Sequence, residues 1–582
     1  MRLVVTIMIT FATALSARAT TPTRPNVLLV VVDDAGYSDL GTYGGDASTP
    51  VIDALAARGT KLARFYTSPQ CGPSRAMLLT GSDNHDVGIG TINEALSPNL
   101  RDLPAYSMRL APESLTLAER LNEAGYYTVA TGKWGIGKPG SSLPGEHGFD
   151  RSHVLDASGA DNWEQKSYIP HYETAPWWAD GKPIKLPRDF YSSSYIVDRT
   201  IDLLNEAPPN APFFAFVGFQ AIHLPLQVAR EYTERYSGRF DAGWDEHRRK
   251  RAARTKALGL VPEGSRLAPM PKNARPWASL DEDDRALYAQ MMQVSAGMLE
   301  AMDAELGRLI GHLDKISALE NTIVVVVSDN GPEYGELPAE HHWLASLAKP
   351  SLIDRLGEKG TTASIGPEWA TVSAAPFSLF KFHSSEGGLR VPFIIAGPGV
   401  PKTPVVHARG HITDVVPTIL DLVGVEVTPS AQHAPPLRGR SLRPALVGEV
   451  SEVYGLQDPV GVEVAGNAAL YRGPYKIVKM TLPHGDGTWR LYDITKDPGE
   501  TKDLSRERPK LTEEMKAAYA EYAKSVGAVE MDISYRPTKQ IAINGVKALL
   551  ARHTLWWALA LALLVGGFFL RRRKLASGLA SE

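Results

Sequence analysis

Two pairs of oxygen-bearing side chains each close an unusually apolar run. Asn26-Val27-Leu28-Leu29-Val30-Val31-Val32 ends in Asp33-Asp34, and Thr322-Ile323-Val324-Val325-Val326-Val327 ends in Ser328-Asp329-Asn330-Gly331. Oxygen-bearing side chains brought together from two such runs suit a hard divalent cation, calcium or magnesium. A third run, Pro212 to Phe219, leads to His223, an acid/base candidate. The only cysteine, Cys71, stands in Cys71-Gly72-Pro73-Ser74-Arg75, followed by Leu79-Thr80-Gly81. One thiol makes no internal disulfide, so Cys71 is either apolar filler or a residue with chemistry of its own.

These groups need elements to position them. A continuous β-branched run reads as a strand buried on both faces. Polar residues at the ends of such strands lie where open α/β sheets gather their ligands. Between the strands, Leu287, Met291, Val294, Met298, Met302, Leu306, Leu309 and Leu313 step by three or four residues, one apolar stripe of a long helix. A shorter helix over 113–125 precedes the strand Tyr127-Thr128-Val129-Ala130. This alternation predicts an α/β fold: a large mixed, mostly parallel sheet sandwiched by helices. The pattern changes where Pro429, Pro435 and Pro436 cluster. Short strand-like pieces and one amphipathic helix then predict a small C-terminal α+β subdomain.

The ends read differently. Residues 1–19 have the positive start, apolar stretch and Ala17-Arg18-Ala19 site of a secretory signal peptide. Thr554 to Leu570 is uncharged and is followed by Arg571-Arg572-Arg573-Lys574, the pattern of a membrane span with a cytoplasmic stop. The expected organisation is a signal over 1–19, a catalytic domain over 20–430 and a subdomain over 431–527. A tether over 528–552, a transmembrane helix over 553–572 and a cytoplasmic tail over 573–582 complete it. The catalytic domain is then exported and lies outside the cytoplasm, on the periplasmic side if the source is bacterial. The net charge of −3 gives no reason to expect nucleic acid as a partner, and the basic run Arg248 to Lys256 reads as a solvated helix face. An exported chain with structural cysteines usually pairs them; this one has none to pair.

Further stretches go with the Cys71 segment: Gly132-Lys133-Trp134, Pro212-Phe213-Phe214 through His223, Ser328-Asp329-Asn330-Gly331, Lys381 ahead of Glu386-Gly387-Gly388-Leu389-Arg390, and Leu491-Tyr492-Asp493. Taken together, over roughly residues 24 to 505, the chain resembles the type I, formylglycine-dependent sulfatases of the alkaline phosphatase superfamily. Phe380-Lys381 and His223-Leu224-Pro225-Leu226-Gln227 give it an arylsulfatase-like character. The resemblance implies that a formylglycine-generating enzyme oxidises Cys71 to formylglycine, whose hydrate attacks the sulfur of a sulfate ester. It implies a metal on Asp33, Asp34, Asp329 and Asn330, calcium before magnesium. Arg75 would hold the hydrate, four residues on and so on one helix face with it. Lys133 and Lys381 would neutralise the sulfate oxygens, and His223 would protonate or steady the leaving alcohol. The second hydroxyl of the hydrate then expels sulfate, which a serine could not do.

The substrate class implied is a small-molecule or glycan sulfate ester. A phosphonate or phosphodiester hydrolase of the same superfamily, or a non-catalytic binder of sulfated ligands, are the alternatives. One departure stands out: the family reads Gly-Lys-Trp-His where this chain has Gly132-Lys133-Trp134-Gly135. Another group, such as His85, His383 or a water held by Asp329, then takes over, or the pocket is enlarged, or turnover is slow. Specificity is expected from the segments 155–195 and 225–275, which carry Trp163, Trp177, Trp178 and Trp244.

Overall fold

The computed structural model describes residues 24–335, 353–361, 363–427, 434–554 and 566. The signal over 1–19, the tail over 573–582 and most of the span expected over 553–572 lie outside them. Among the described residues no helix is long and apolar enough to cross a membrane.

The first apolar run is strand β1 (Asn26–Val32), buried along its whole length. Alternating side chains point to opposite faces of a sheet. Val27, Leu29 and Val31 accordingly enter one core, and Leu28, Val30 and Val32 the other. The further strands are β2 (Thr60–Tyr66), β3 (Tyr127–Lys133), β4 (Arg151–Leu155), β5 (Trp177–Ala179), β6 (Lys182–Ile184), β7 (Phe213–Gly218), β8 (Thr322–Ser328), β9 (Phe393–Ala396) and β10 (Val406–His411). They form one sheet in the order β10-β2-β9-β8-β1-β7-β3-β4-β5-β6. From β8 to β4 every pairing is parallel, while β9, β5 and β6 run antiparallel to their neighbours. The predicted mixed, mostly parallel sheet is present.

Helix α1 (Cys71–Thr80) places Ala76, Met77, Leu78 and Leu79 in the core on one face. The long helix α2 (Glu282–Lys315) covers the other, and all eight residues of the predicted stripe are buried there. Each such side chain contributes about 1.5–3 kcal/mol of burial. With both faces covered, polar groups can converge only at the sheet's ends. β8, β1, β7 and β3 are neighbours running in one direction, so their carboxyl ends open on the same edge. The basic run departs from its reading: Arg249 and Lys250 are exposed, but Arg251 is buried, with Nη1 donating to Asp39 at 2.6 Å and Nε to Asp46 at 2.8 Å.

The C-terminal subdomain is an antiparallel meander of β11 (Val460–Val464), β12 (Asn467–Arg472), β13 (Tyr475–Lys479) and β14 (Arg490–Asp493), with helix α3 (Pro509–Val526) against it. Buried ion pairs fasten it to the larger domain. Lys476 Nζ donates to Glu386 at 3.1 Å and to Glu500 at 2.8 Å. His85 stands between Asp83 (3.1 Å) and Glu463 (2.9 Å). The stretch expected as a tether contains helix α4 (Pro537–Arg552), which is docked rather than free. Asn544 donates to the carbonyls of Glu94 (3.0 Å) and Leu96 (2.9 Å).

Burial opposes charge on His85, but hydrogen bonds to Asp83 and Glu463 outweigh it and raise its pKa to about 9 from 6.5. A raised folded-state pKa stabilises fully below the unfolded value and is lost as pH rises through the folded one. Urea unfolding should therefore show stability falling between pH 6.5 and about 9, by on the order of 3 kcal/mol. His85→Gln should remove that slope, and an unchanged slope in the variant would refute the assignment.

Candidate active site

Each of the four strand ends delivers chemistry to this edge. β1 ends in Asp33 and Asp34; Asp34 has φ 64°, the left-handed region, which turns the chain immediately after the strand. β8 leads to Asp329 and Asn330, β3 ends in Lys133, and the chain leaving β7 reaches His223. Opposite them Cys71 is the first residue of α1. Helix N-termini carry unsatisfied N–H groups and a partial positive charge, which favour an anion. Arg75, one turn on, is fully buried. Lys381 arrives from a loop that precedes β9.

All nine predicted residues meet. Arg75 Nε donates to Asp329 Oδ2 at 2.8 Å and Nη1 to the Lys133 carbonyl at 2.6 Å. Its Nη2 lies 3.5 Å from Asp33 Oδ1. Lys133 Nζ donates to Asp33 Oδ2 and stands 3.8 Å from the Cys71 sulfur. Lys381 Nζ donates to Asp34 Oδ2 at 2.8 Å and to Glu333 Oε2 at 3.0 Å. Asn330 Nδ2 donates to Asp34 Oδ1 at 2.6 Å, and that oxygen is 3.8 Å from the Cys71 sulfur. His223 Nδ1 is 2.6 Å from the Leu224 carbonyl, which fixes Nδ1 as the donor and leaves Nε2 facing Ser158 Oγ (3.2 Å), Asp34 Oδ2 (3.6 Å) and Glu333 Oε2 (3.8 Å).

Three buried carboxylates, Asp33, Asp34 and Asp329, and the part-buried Glu333 thus face three cations, Arg75, Lys133 and Lys381. The excess negative charge shows in the acidities. Burial first, then Asp33, Glu333 and Asp329, lift Asp34 to about 8 against the pull of Lys381. Burial and Asp33 also raise Asp329. Burial opposes ionisation of Asp33 too, but Lys133, Arg75 and Lys381 hold it below its ordinary value. Burial drives the Cys71 thiol well above its usual range. Burial, with Lys133 and Lys381, drives His223 well below its own, so its imidazole is neutral.

A hard cation fits this cluster. Asp33 Oδ1 and Asn330 Oδ1 are buried and accept no hydrogen bond, which is costly unless something else binds them. Ligand atoms of Asp33, Asp34, Asp329 and Cys71 all lie within 4.8 Å of one another. A divalent ion would turn the excess negative charge into a single positive one, the complement of a monoester's anion.

Over the cluster lies a cavity of about 270 Å³. Cys71, Lys133, Gly135, His223, Glu333 and Lys381 form its floor, and Ile92, Glu94, Ile169, Tyr172, Phe382 and Ile541 are among the residues of its walls.

The model of the sulfatase family matches residues 25–425. The chain belongs to the sulfatase family. An uncharacterized sulfatase of Schizosaccharomyces pombe is 33% identical over 87% of this chain and 94% of its own. The arylsulfatase of Klebsiella aerogenes is 33% identical over 73% of this chain and 93% of its own. Among solved structures, Ps i-CgsB in complex with k-i-k-neocarrahexaose superposes with TM-score 0.62 at 23% identity, over 91% of this chain and 99% of that one, a likeness of fold. With such relatives the sulfatase is a sulfuric ester hydrolase.

Sequence reading missed part of the sulfatase site. Glu333 is three residues beyond Asn330 and could have been found by that proximity; Lys381 holds it at about 2 against burial. Ile92, Glu94 and Ile541 carry no local signal. The segment 155–195 does line the pocket, through Asp156, Ser158, Ile169 and Tyr172 among others, but 225–275 does not. Trp177 and Trp244 are core residues. Neither histidine offered as a substitute at Gly135 reaches the pocket: His85 is in the subdomain junction, and His383 is held by the carbonyls of Lys381 (2.9 Å) and Phe380 (3.2 Å).

A divalent cation, calcium or magnesium, should raise the melting temperature of the protein, by the equivalent of about 2.7 kcal/mol at a hundredfold excess over Kd. Binding at neutral pH should release about one proton, because the ion displaces the proton that Asp34 otherwise holds. Asp329→Asn should lose most of the thermal gain. Calorimetry showing no heat and no proton release with either calcium or magnesium would remove the cation from the site.

Proposed function

We propose that the sulfatase cleaves sulfate monoesters with a formylglycine made from Cys71, beside a divalent cation held by Asp33, Asp34, Asp329 and Asn330. The observation that carries this is the convergence of Cys71, Lys133, His223 and Lys381 on one pocket floor above an over-acidic cluster. An encoded thiolate is a poor alternative, since burial keeps the Cys71 thiol protonated. Formylglycine, hydrated to a geminal diol, supplies one hydroxyl to attack sulfur and a second to expel sulfate afterwards. The cation, calcium on this reading, supplies Lewis-acid polarisation and favours the ionised diol.

The chain's own residues do the rest. Lys133 and Lys381, pinned by Asp33 and by Asp34 with Glu333, offer positive charge at the pocket floor to the sulfate oxygens. Arg75 clamps Asp329 to the Lys133 backbone and so fixes the geometry between helix and strand. His223 keeps its Nε2 toward the pocket, where a proton taken up at that nitrogen can pass to the departing oxygen. Segments 1–19 and 553–572 support export and a membrane anchor, with the catalytic domain outside the cytoplasm and Cys71 matured by a formylglycine-generating enzyme.

Mass spectrometry of the Cys71 peptide should show sulfur replaced by oxygen with loss of two hydrogens. Cys71→Ala should abolish sulfate release from nitrophenyl sulfate, and Lys381→Met should lower kcat by about 10²–10³. An unmodified thiol together with undiminished turnover would contradict the formylglycine route.

A further inference from the structure

Helix α4 lies C-terminal to the span matched by the family, yet it builds part of the pocket. Ile541 is in the pocket wall. Asn544 is bonded to the carbonyls of Glu94 and Leu96, and Arg552 Nη2 donates to the Pro170 carbonyl at 3.1 Å. Gly545 packs so closely that a Cβ there would meet His171 Cε1 at 3.2 Å and Pro170 Cβ at 3.4 Å. The two loops that α4 holds, 92–96 and 169–172, supply Ile92, Glu94, Ile169, Pro170 and Tyr172 to the same wall. They are tied to each other by the Tyr172 hydroxyl, which donates to Glu94.

The opposite side of α4 is apolar and bare. Ile543, Val546 and Leu550 recur at three and four residues, one stripe of a helix, and are 39%, 56% and 46% exposed. Leu549, 40% exposed on the same helix, adds to it. Four of the twelve large apolar side chains exposed among the described residues therefore fall on α4, so this is a patch and not the ordinary scatter of a soluble surface. Lys539 and Lys547 are exposed on the same helix, and the uncharged stretch from Thr554 to Leu570 follows it directly in the sequence. Apolar side chains flanked by lysines and leading into an apolar segment suit the interface of a bilayer with anionic headgroups.

The wall chemistry agrees. Among the described residues, Lys133 and Lys381 on the floor are the only lysines or arginines that line the pocket, and Glu94 and Asp156 add carboxyl groups to it. Among those residues a ligand bearing several sulfates or carboxylates finds few partners, whereas Ile92, Ile169, Pro170, Phe382 and Ile541 suit an apolar alcohol. Resting on the sulfatase reading above, we infer that α4 seats its outer face on a lipid bilayer. The pocket mouth then lies beside the lipid, and the enzyme takes monosulfate esters of lipophilic alcohols or phenols held in that bilayer.

The test uses the full chain in vesicles of phosphatidylcholine with phosphatidylglycerol. Nitrophenyl sulfate serves as the soluble ester and a long-chain alkylphenyl sulfate as the bilayer-held one. The alkylphenyl ester should be preferred by about tenfold or more in kcat/KM, the discrimination that a few extra buried methylenes provide. Val546→Glu with Leu550→Glu should abolish that preference while leaving nitrophenyl sulfate turnover unchanged. Ile541→Asn should raise KM for the alkylphenyl ester about tenfold. Equal rates on both esters, or a preference untouched by the glutamate pair, would overturn the inference while leaving the sulfatase reading intact. A glutamate pair that breaks up a dimer without altering the bilayer rate would overturn it in favour of a second copy on that face. Silence on both esters from protein with an oxidised Cys71 would instead overturn the sulfatase reading and this one with it.

Discussion

Three carboxylates buried at the ends of adjacent parallel strands, with the part-buried Glu333 beside them, are the constraint on which the rest depends. Ionised carboxylates survive burial only when paired, and here three cations face them. Each cation comes from a separate element: Arg75 from α1, Lys133 from β3, Lys381 from a loop. Neutralising the cluster is therefore also what fixes α1 against the sheet and sets Cys71 over it. The arrangement remains one charge too negative; burial first, then the neighbouring carboxylates, drive Asp34 to about 8, and two oxygens have no donor. A divalent cation would relieve both and leave a pocket floor that is positive toward an anion. Stability and substrate binding meet in the same charge balance.

Much of this was legible in the sequence, for identifiable reasons. The runs before Asp33 and Asp329 are apolar without alternation because both sheet faces are covered, so strand type and burial could be read together. Parallel strands that share a sheet present their carboxyl ends on one edge, so residues hundreds of positions apart could be expected to meet. The stripe from Leu287 to Leu313 specified α2 by its period alone. The Cys71-to-Arg75 spacing gains meaning once α1 is seen to begin at Cys71.

What escaped was whatever depends on contact between surfaces that have no periodic signature. His85 gives no sign in the sequence of lying between Asp83 and Glu463, since that geometry arises only when the subdomain docks. The tether reading of 528–552 failed to register α4's mixed character, with Asn544 and Gly545 on the docked side and Ile543, Val546 and Leu550 on the other. A helix apolar on its outer face and small or polar where it packs inverts the usual pattern. The 225–275 segment, with its single Trp244, misled in the opposite way: Trp244 packs against Trp277 and Trp369 and serves the core.

Gly135 brings these strands together. The family's histidine has no counterpart there, and the two histidines offered in its place, His85 and His383, are occupied elsewhere. Its φ of +63° is one that glycine adopts freely and other residues seldom do, so the position is committed to its present form by backbone as well as by side chain. A Cβ would meet nothing closer than Lys133 Cε at 3.5 Å, so the volume that a histidine would fill belongs to the pocket. Lys133 Nζ and Asp34 Oδ1 each stand 3.8 Å from the Cys71 sulfur, and both are held by the charge cluster. Where a histidine would fill the space over residue 71, the groups nearest to it are ones that also balance buried charge, and the space released widens the pocket toward the apolar wall that α4 completes.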